Sequence, residues 1–210
     1  NLRLPGDTIK ATVLRISLLR LLLSLGAGML AAHWLAGLGW SVAAVYSAIV
    51  LGTGPTVVTP IVQQIRLASP LGDVLEAEGL VLEPVGAVLA LLLLELLLGD
   101  LYGWRGLAIG LLSRLGGGVL IGVAVGWLLA ELLRRLPSEH AVGLRLQLTL
   151  GVLFLMFAIC EWLLPESGLP ASVAAGVVVG RRPSTQAAQL DELISELARL
   201  AITMLFPLLA

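Results

Sequence analysis

Residues 71–98 stay apolar for longer than a lipid bilayer is thick, yet a glutamate and a proline stand side by side near their centre, Glu83-Pro84. A helix rises 1.5 Å per residue and the hydrocarbon core is about 30 Å deep, so roughly 20 apolar residues cross it. If this run crosses, a carboxylate lies where an acidic side chain costs roughly 2.5–3.5 kcal/mol, and intramembrane ionisable groups mark ion or proton paths. Pro84 has no N–H and frees the carbonyl one turn back, adding a second polar group at the same depth.

The rest of the chain supports the membrane premise. Hydrophobic residues make up 58% of the 210 positions and charged residues only 13%, about half the charge of an ordinary soluble domain. The net charge of −1 offers no nucleic-acid surface. A single cysteine, Cys160, excludes an internal disulfide framework and any multi-cysteine metal site. The first residue is Asn1 and the last, Ala210, falls inside an apolar run; this reads as a piece of a larger protein, truncated at both ends.

Seven spans are expected in this one partial transmembrane domain: residues 12–35, 40–67, 71–98, 106–132, 141–163, 168–181 and 190–210. The sixth is short and glycine-rich, a partial or broken crossing. Turn-forming residues separate the runs at Ser69-Pro70, Gly99-Asp100, Pro137-Ser138, Pro165 to Pro170 and Arg181-Arg182-Pro183. With seven crossings, Arg3, Lys10, Arg15, Arg66, Arg134, Arg135, Arg145, Arg181 and Arg182 gather at one face, while the other has Arg105, with Arg114 inside the following helix. The positive-inside rule makes the rich face cytoplasmic and starts the chain there.

Two neighbouring spans carry helix-breaking chemistry at the same depth. Gly52-Thr53-Gly54-Pro55 divides the second near its midpoint, and Glu83-Pro84 interrupts the third. Backbone breaks at that depth survive when buried in protein or facing a water-filled cavity, as in the discontinuous helices of secondary transporters. Glu76 reads as an interfacial carboxylate, Glu78 as half of a structural ion pair with an arginine, and Glu95 as a side chain snorkelling to the far interface. Gly118, Gly122 and Gly126 form a small-residue stripe that permits close helix approach, within one chain or between protomers. Residues 186–199 read as an amphipathic cytoplasmic helix with a solvated face.

Enzyme chemistry finds no support. His33 and His140 are the only histidines, near span ends on opposite faces, and Cys160 has no histidine neighbour in sequence. Neither a nucleophile–base pair nor a metal motif emerges, and no glycine-rich nucleotide loop appears, so no cofactor is expected.

The two interrupted spans resemble the sodium/proton exchanger family, in its bacterial NhaP-type monovalent cation/proton antiporters. Many members carry Thr-Asp-Pro in an unwound helix and Gly-Glu-Ser-Leu-Leu-Asn-Asp in the next. Here the first corresponds to Thr53-Gly54-Pro55 and the second to Ala77-Glu78-Gly79-Leu80-Val81-Leu82-Glu83, followed by Pro84. The resemblance implies an all-α polytopic bundle, part of an inverted-repeat antiporter fold with discontinuous helices. It places Glu83 where the ion-binding aspartate stands, Leu82 at its asparagine neighbour, and Gly54 at the aspartate of the unwound helix. Glu78 falls on the glutamate that pairs with an arginine of a later helix, beyond Ala210. Also implied are exchange of Na+, K+ or Li+ for H+ in pH homeostasis, a homodimer, and a multi-pass position in the inner (plasma) membrane lipid bilayer. Thr53 and Gly54 join Glu83 as the ion- and proton-binding set, with the monovalent cation held at Glu83. A potassium/proton exchanger, an ion-conducting relative and a non-transporting scaffold or sensor are the alternatives.

Overall fold

The computed structural model describes residues 7–51, 71–99, 103–135, 142–181, 194–198, 200, 201, 203 and 204. Six helices account for nearly all of them: α1 (Asp7–Ala36), α2 (Trp40–Leu51), α3 (Leu71–Leu98), α4 (Gly103–Arg135), α5 (Val142–Leu163) and α6 (Gly168–Gly180). No strand occurs among the described residues. Four stretches are long and apolar enough to cross a membrane: Leu19–Ala36, Glu78–Leu98, Gly103–Arg135 and Gly143–Leu163. The fold is a polytopic helical membrane bundle, and the protein is a multi-pass membrane protein. Large apolar side chains such as Leu22, Leu35, Leu112, Leu120, Phe154 and Trp162 are more than half exposed. In water such surfaces would drive association; a bilayer accommodates them, because lipid tails are as apolar as they are.

Lipid tails are as apolar as leucine, so helices associate through close packing and interhelical polar contacts. Several pairings in the bundle show these devices. Between α1 and α2 the chain turns at Gly37, whose φ of +65° suits a residue without Cβ. The Leu38 N–H then reaches back to the Ala32 carbonyl at 3.3 Å. His33 Nδ1–H donates to the Leu38 carbonyl at 2.6 Å, and its ring stacks on Trp40 with centroids 3.9 Å apart. Ser47, fully buried on α2, donates to the Leu25 carbonyl of α1 at 2.7 Å. Thr149 and Ser172 turn their hydroxyls onto the carbonyls four residues back, at 2.8 Å each, which satisfies both hydroxyls within their own helices.

α4 and α6 are joined by the glycine stripe. A Cβ built on Gly118 would stand 2.5 Å from the Ser167 carbonyl oxygen and 2.8 Å from the Pro170 ring. On Gly122 it would collide with the Ala171 backbone, and on Gly126 it would lie 2.8 Å from the Ala175 Cα. The stripe therefore packs helix on helix inside one chain. Ala171 and Ala175 complete the far side of this seam, in a buried cluster with Met156 and Cys160 of α5, against Ile121 and Val125.

One expectation needs correction. α3 is continuous from Leu71 to Leu98 and passes through Pro84 without interruption. The lost N–H leaves the Leu80 carbonyl without its helical partner, yet the helix holds; Pro84 is buried, and α3 as a whole packs against α1, α2, α4 and α6. The other expected break, at Thr53, Gly54 and Pro55, lies outside the described residues.

Candidate ion site on the third helix

α3 carries three glutamates whose side chains are described: Glu78, Glu83 and Glu95. At about 100° per residue, Glu83 is turned roughly 140° from Glu78, and Glu95 roughly 120° further round. The three carboxylates thus leave the helix in three directions, and they meet three different environments.

Glu78 points to α1. Its Oε2 pairs with Arg20 Nη1 at 2.9 Å; the Glu78 side chain is 6% exposed and that of Arg20 47%. The other carboxylate oxygen, Oε1, is buried with no hydrogen-bond partner among the described residues. An arginine downstream of Ala210 was expected for Glu78; here the contact comes from upstream, from α1. Glu95 points to α4, where Arg114 Nη2 donates to both of its oxygens at 2.7 and 2.9 Å. Both side chains are largely buried, at 12% and 24% exposed for Arg114 and Glu95. Glu95 is therefore an interhelical partner rather than a snorkelling side chain: the arginine is near enough that the carboxylate need not reach water.

Glu83 differs from both. It is partly buried, and among the described residues it has no ion-pair or hydrogen-bond partner. Beside it Leu82 is 4% exposed and forms one wall of a cavity of about 220 Å³, with Arg20, Ser24, Ser47, Val50 and Leu51. The resemblance puts an asparagine where Leu82 stands, so this wall is apolar. Leu51 is the last described residue before Gly52-Thr53-Gly54-Pro55. The cavity so lies where α2 leaves off and where α1 and α3 are tied by Arg20 and Glu78. The Glu76 side chain falls outside the described residues.

At the opposite end of α3 a second polar group closes the bundle. Glu161, at the end of α5, accepts the Glu166 N–H at 2.9 Å and the Gly168 N–H at 3.0 Å, and so caps the first turn of α6 with a negative charge. Glu166 occupies the left-handed region, φ 64°. Its carboxyl is held above the ordinary carboxylate range, first by burial and then by the neighbouring Glu161 charge, with Arg114 opposing. Ser167 donates to the Cys160 carbonyl at 3.1 Å.

Nothing among the described residues assembles an enzyme's machinery. His33 is spent on the α1–α2 turn, Cys160 is a buried free thiol, and no group of three potential metal-ligating residues occurs among the described residues. His140 lies outside them. Arg20 is the residue sequence reasoning overlooked. The signal was available: a lone arginine inside the leucine-rich run 18–25 must find a counter-charge if it is to stay in a membrane helix.

Compared with protein families, residues 4–210 match the family model described as sodium/hydrogen exchanger, transmembrane. No solved structure matches the chain.

Proposed function

The chain belongs to the sodium/hydrogen exchanger family, a family of cation/proton antiporters, and from that premise we propose that Glu83 is the carboxylate at which cation and proton exchange. The observation that carries this reading is the contrast on α3. Glu78 and Glu95 are each matched to an arginine, while Glu83, midway along the same apolar helix, has no counter-charge among the described residues. A carboxylate at that depth gains by holding a proton or a cation, and it cannot hold both at full strength. Burial favours its neutral form; an arriving cation favours its charged form and displaces the proton. Competition at one carboxylate gives exchange when the site opens to one face at a time.

The cargo in this reading is a hard monovalent cation, Na+ or K+, suited to oxygen ligands. Glu83 supplies one or two, the Thr53 hydroxyl and the carbonyls around Gly54-Pro55 supply others, and water completes the shell. One titrating carboxylate makes the exchange one-for-one and electroneutral. The protein works as a transporter and not as an enzyme, in the bacterial inner membrane, as a homodimer of the NhaP-type branch with the start of this chain at the cytoplasmic face.

Proton efflux from everted vesicles on addition of Na+, Li+ or K+ tests the proposal. Glu83→Gln should abolish cation-dependent efflux, and Glu83→Asp should keep much of it. Equal flux in all three would place the site elsewhere, and strong dependence of turnover on membrane voltage would overturn the stoichiometry.

A further inference from the structure

We propose that Arg114 is a pH-set clasp between helices: its Nη2 holds Glu95 of α3, and its Nη1 takes the carboxylate of Glu166, at the head of α6, once that carboxylate is ionised. The inference concerns how α3, α4 and α6 are held together, and it stands whichever carboxylate carries the ion.

Three features meet at this point. Arg114 serves both oxygens of Glu95 from one nitrogen, Nη2, at 2.7 and 2.9 Å, while Nη1 is buried with no hydrogen-bond partner among the described residues. A buried donor left unpaired costs about 1–3 kcal/mol, and the guanidinium fork can bind a second carboxylate through its other amino group. The turn before α6 is pressed against α4 one helical turn from Arg114. A Cβ on Gly117 would stand 3.0 Å from the Leu164 side chain, and one on Gly118 2.5 Å from the Ser167 carbonyl oxygen. Arg114 lies three and four residues before these glycines, on the same face, and Glu166 falls between Leu164 and Ser167 in the turn. Beside it Glu161 is fixed in place, since its two oxygens accept the Glu166 and Gly168 N–H groups at 2.9 and 3.0 Å.

α6 packs against α3, α4 and α5. Among the described residues, the titratable groups these helices bring to its head are Glu95, Arg114, Glu161 and the Cys160 thiol, and α6 brings no charge within its own span. The Glu166 carboxyl is held above the ordinary carboxylate range by burial first and by the Glu161 charge second, with Arg114 pulling the other way. Below that raised value Glu166 is neutral and Arg114 serves Glu95 alone. As pH rises through it, the new carboxylate is pushed from Glu161 and drawn to the open Nη1. One guanidinium then spans α3, α4 and α6. Glu95 must share its counter-charge, so the hold of α4 on α3 loosens at the pH where its hold on α6 forms.

The experiment uses the full-length protein in lipid vesicles, with isotope labels in the arginine guanidinium and glutamate carboxyl groups, and follows arginine–glutamate contacts by solid-state NMR across pH. One contact should appear as pH rises, and it should be missing at every pH in Glu166→Gln. Contacts that do not change with pH, or a pH-dependent contact that survives Glu166→Gln, overturn the inference. Unfolding in mixed micelles gives a second reading, because the pH at which wild type and Glu166→Gln part in stability marks the midpoint of Glu166. An arginine in contact lowers a carboxylate's pKa by about 1–3 units. Glu95→Gln frees the whole guanidinium for Glu166, so in that background the midpoint should move toward acid by about one unit, a tenfold change in proton affinity. A midpoint that stays where it is in folded Glu95→Gln overturns the clasp. Where Glu95→Gln does not fold, the labelled wild type and Glu166→Gln decide the matter by themselves.

Discussion

Adding one methyl group at Gly122 should weaken the bundle more than any other single-carbon change on α4. The Cβ of Gly122→Ala would land on the Ala171 backbone, with the Ala171 Cα and carbonyl carbon both 2.8 Å away. Ordinary contact begins at about 3.4 Å, so α6 must withdraw by roughly 0.6–1 Å, and its backbone cannot rotate aside as a side chain would. A gap of that size forfeits a quarter to a half of each dispersion contact. Taking the 40–60 contacts of one buried residue as the scale of the seam, at about 0.1–0.2 kcal/mol each, the loss is roughly 1–6 kcal/mol. Alanine's helix propensity returns up to about 1 kcal/mol. The difference spans roughly 0–5 kcal/mol, and the expected value is the about 1–3 kcal/mol typical of overpacked cores. Gly116→Ala on the same helix is the control, because its Cβ meets nothing within 4 Å; it should be neutral or slightly stabilising. Reversible unfolding of the purified protein in mixed micelles, by tryptophan fluorescence, compares the two. Variants of equal stability, within about 0.5 kcal/mol, would refute the backbone-to-backbone seam.

Other consequences are open to the same kind of measurement. Glu95→Gln should cost about 2–4 kcal/mol by leaving Arg114 buried without its partner, whereas replacing both Glu95 and Arg114 by leucine should recover most of that loss; unfolding in mixed micelles reads both. Glu166 has its carboxyl raised by burial and by Glu161, so its protonated form favours the folded state. That stabilisation is complete in acid and is lost as pH rises through the raised value. Glu166→Gln should therefore melt higher than wild type at neutral pH, with the difference shrinking in mild acid; a constant difference across that range would contradict it.

The helical membrane class is legible in the chain because it depends only on runs of apolar residues and the punctuation between them. Glu83 is legible for a related reason: a carboxylate in the middle of such a run is conspicuous without any knowledge of its neighbours. Pairings are a different matter. Glu78 and Arg20 are far apart in sequence, and only the packing of α1 on α3 brings them together; the same holds for Glu95 and Arg114 across α3 and α4. Pro84 shows the limit of local chemistry. Its ring removes one hydrogen bond, which by itself suggests a break, yet with Pro84 buried in the bundle the helix stays whole. The glycine stripe could be seen in sequence, but whether it faced α6 or another protomer could not, since three glycines in a row on one face say how close a partner comes and not which partner it is.

The seam between α4 and α6 also has a mechanical meaning. Because it is built from backbone and small side chains, its geometry cannot be altered by turning a rotamer, and sliding one helix along the other would drive Gly118, Gly122 and Gly126 off the spaces they fit. The two helices behave as one stiff strut, with Glu161 fastening the head of α6 to the end of α5. Displacement of α3 against this strut would run along the line where α3 meets α4, where the buried Leu92 lies over Gly110 and one ion pair, Glu95–Arg114, acts as the tether. A helix that carries the exchange carboxylate would thereby have a fixed wall to move against.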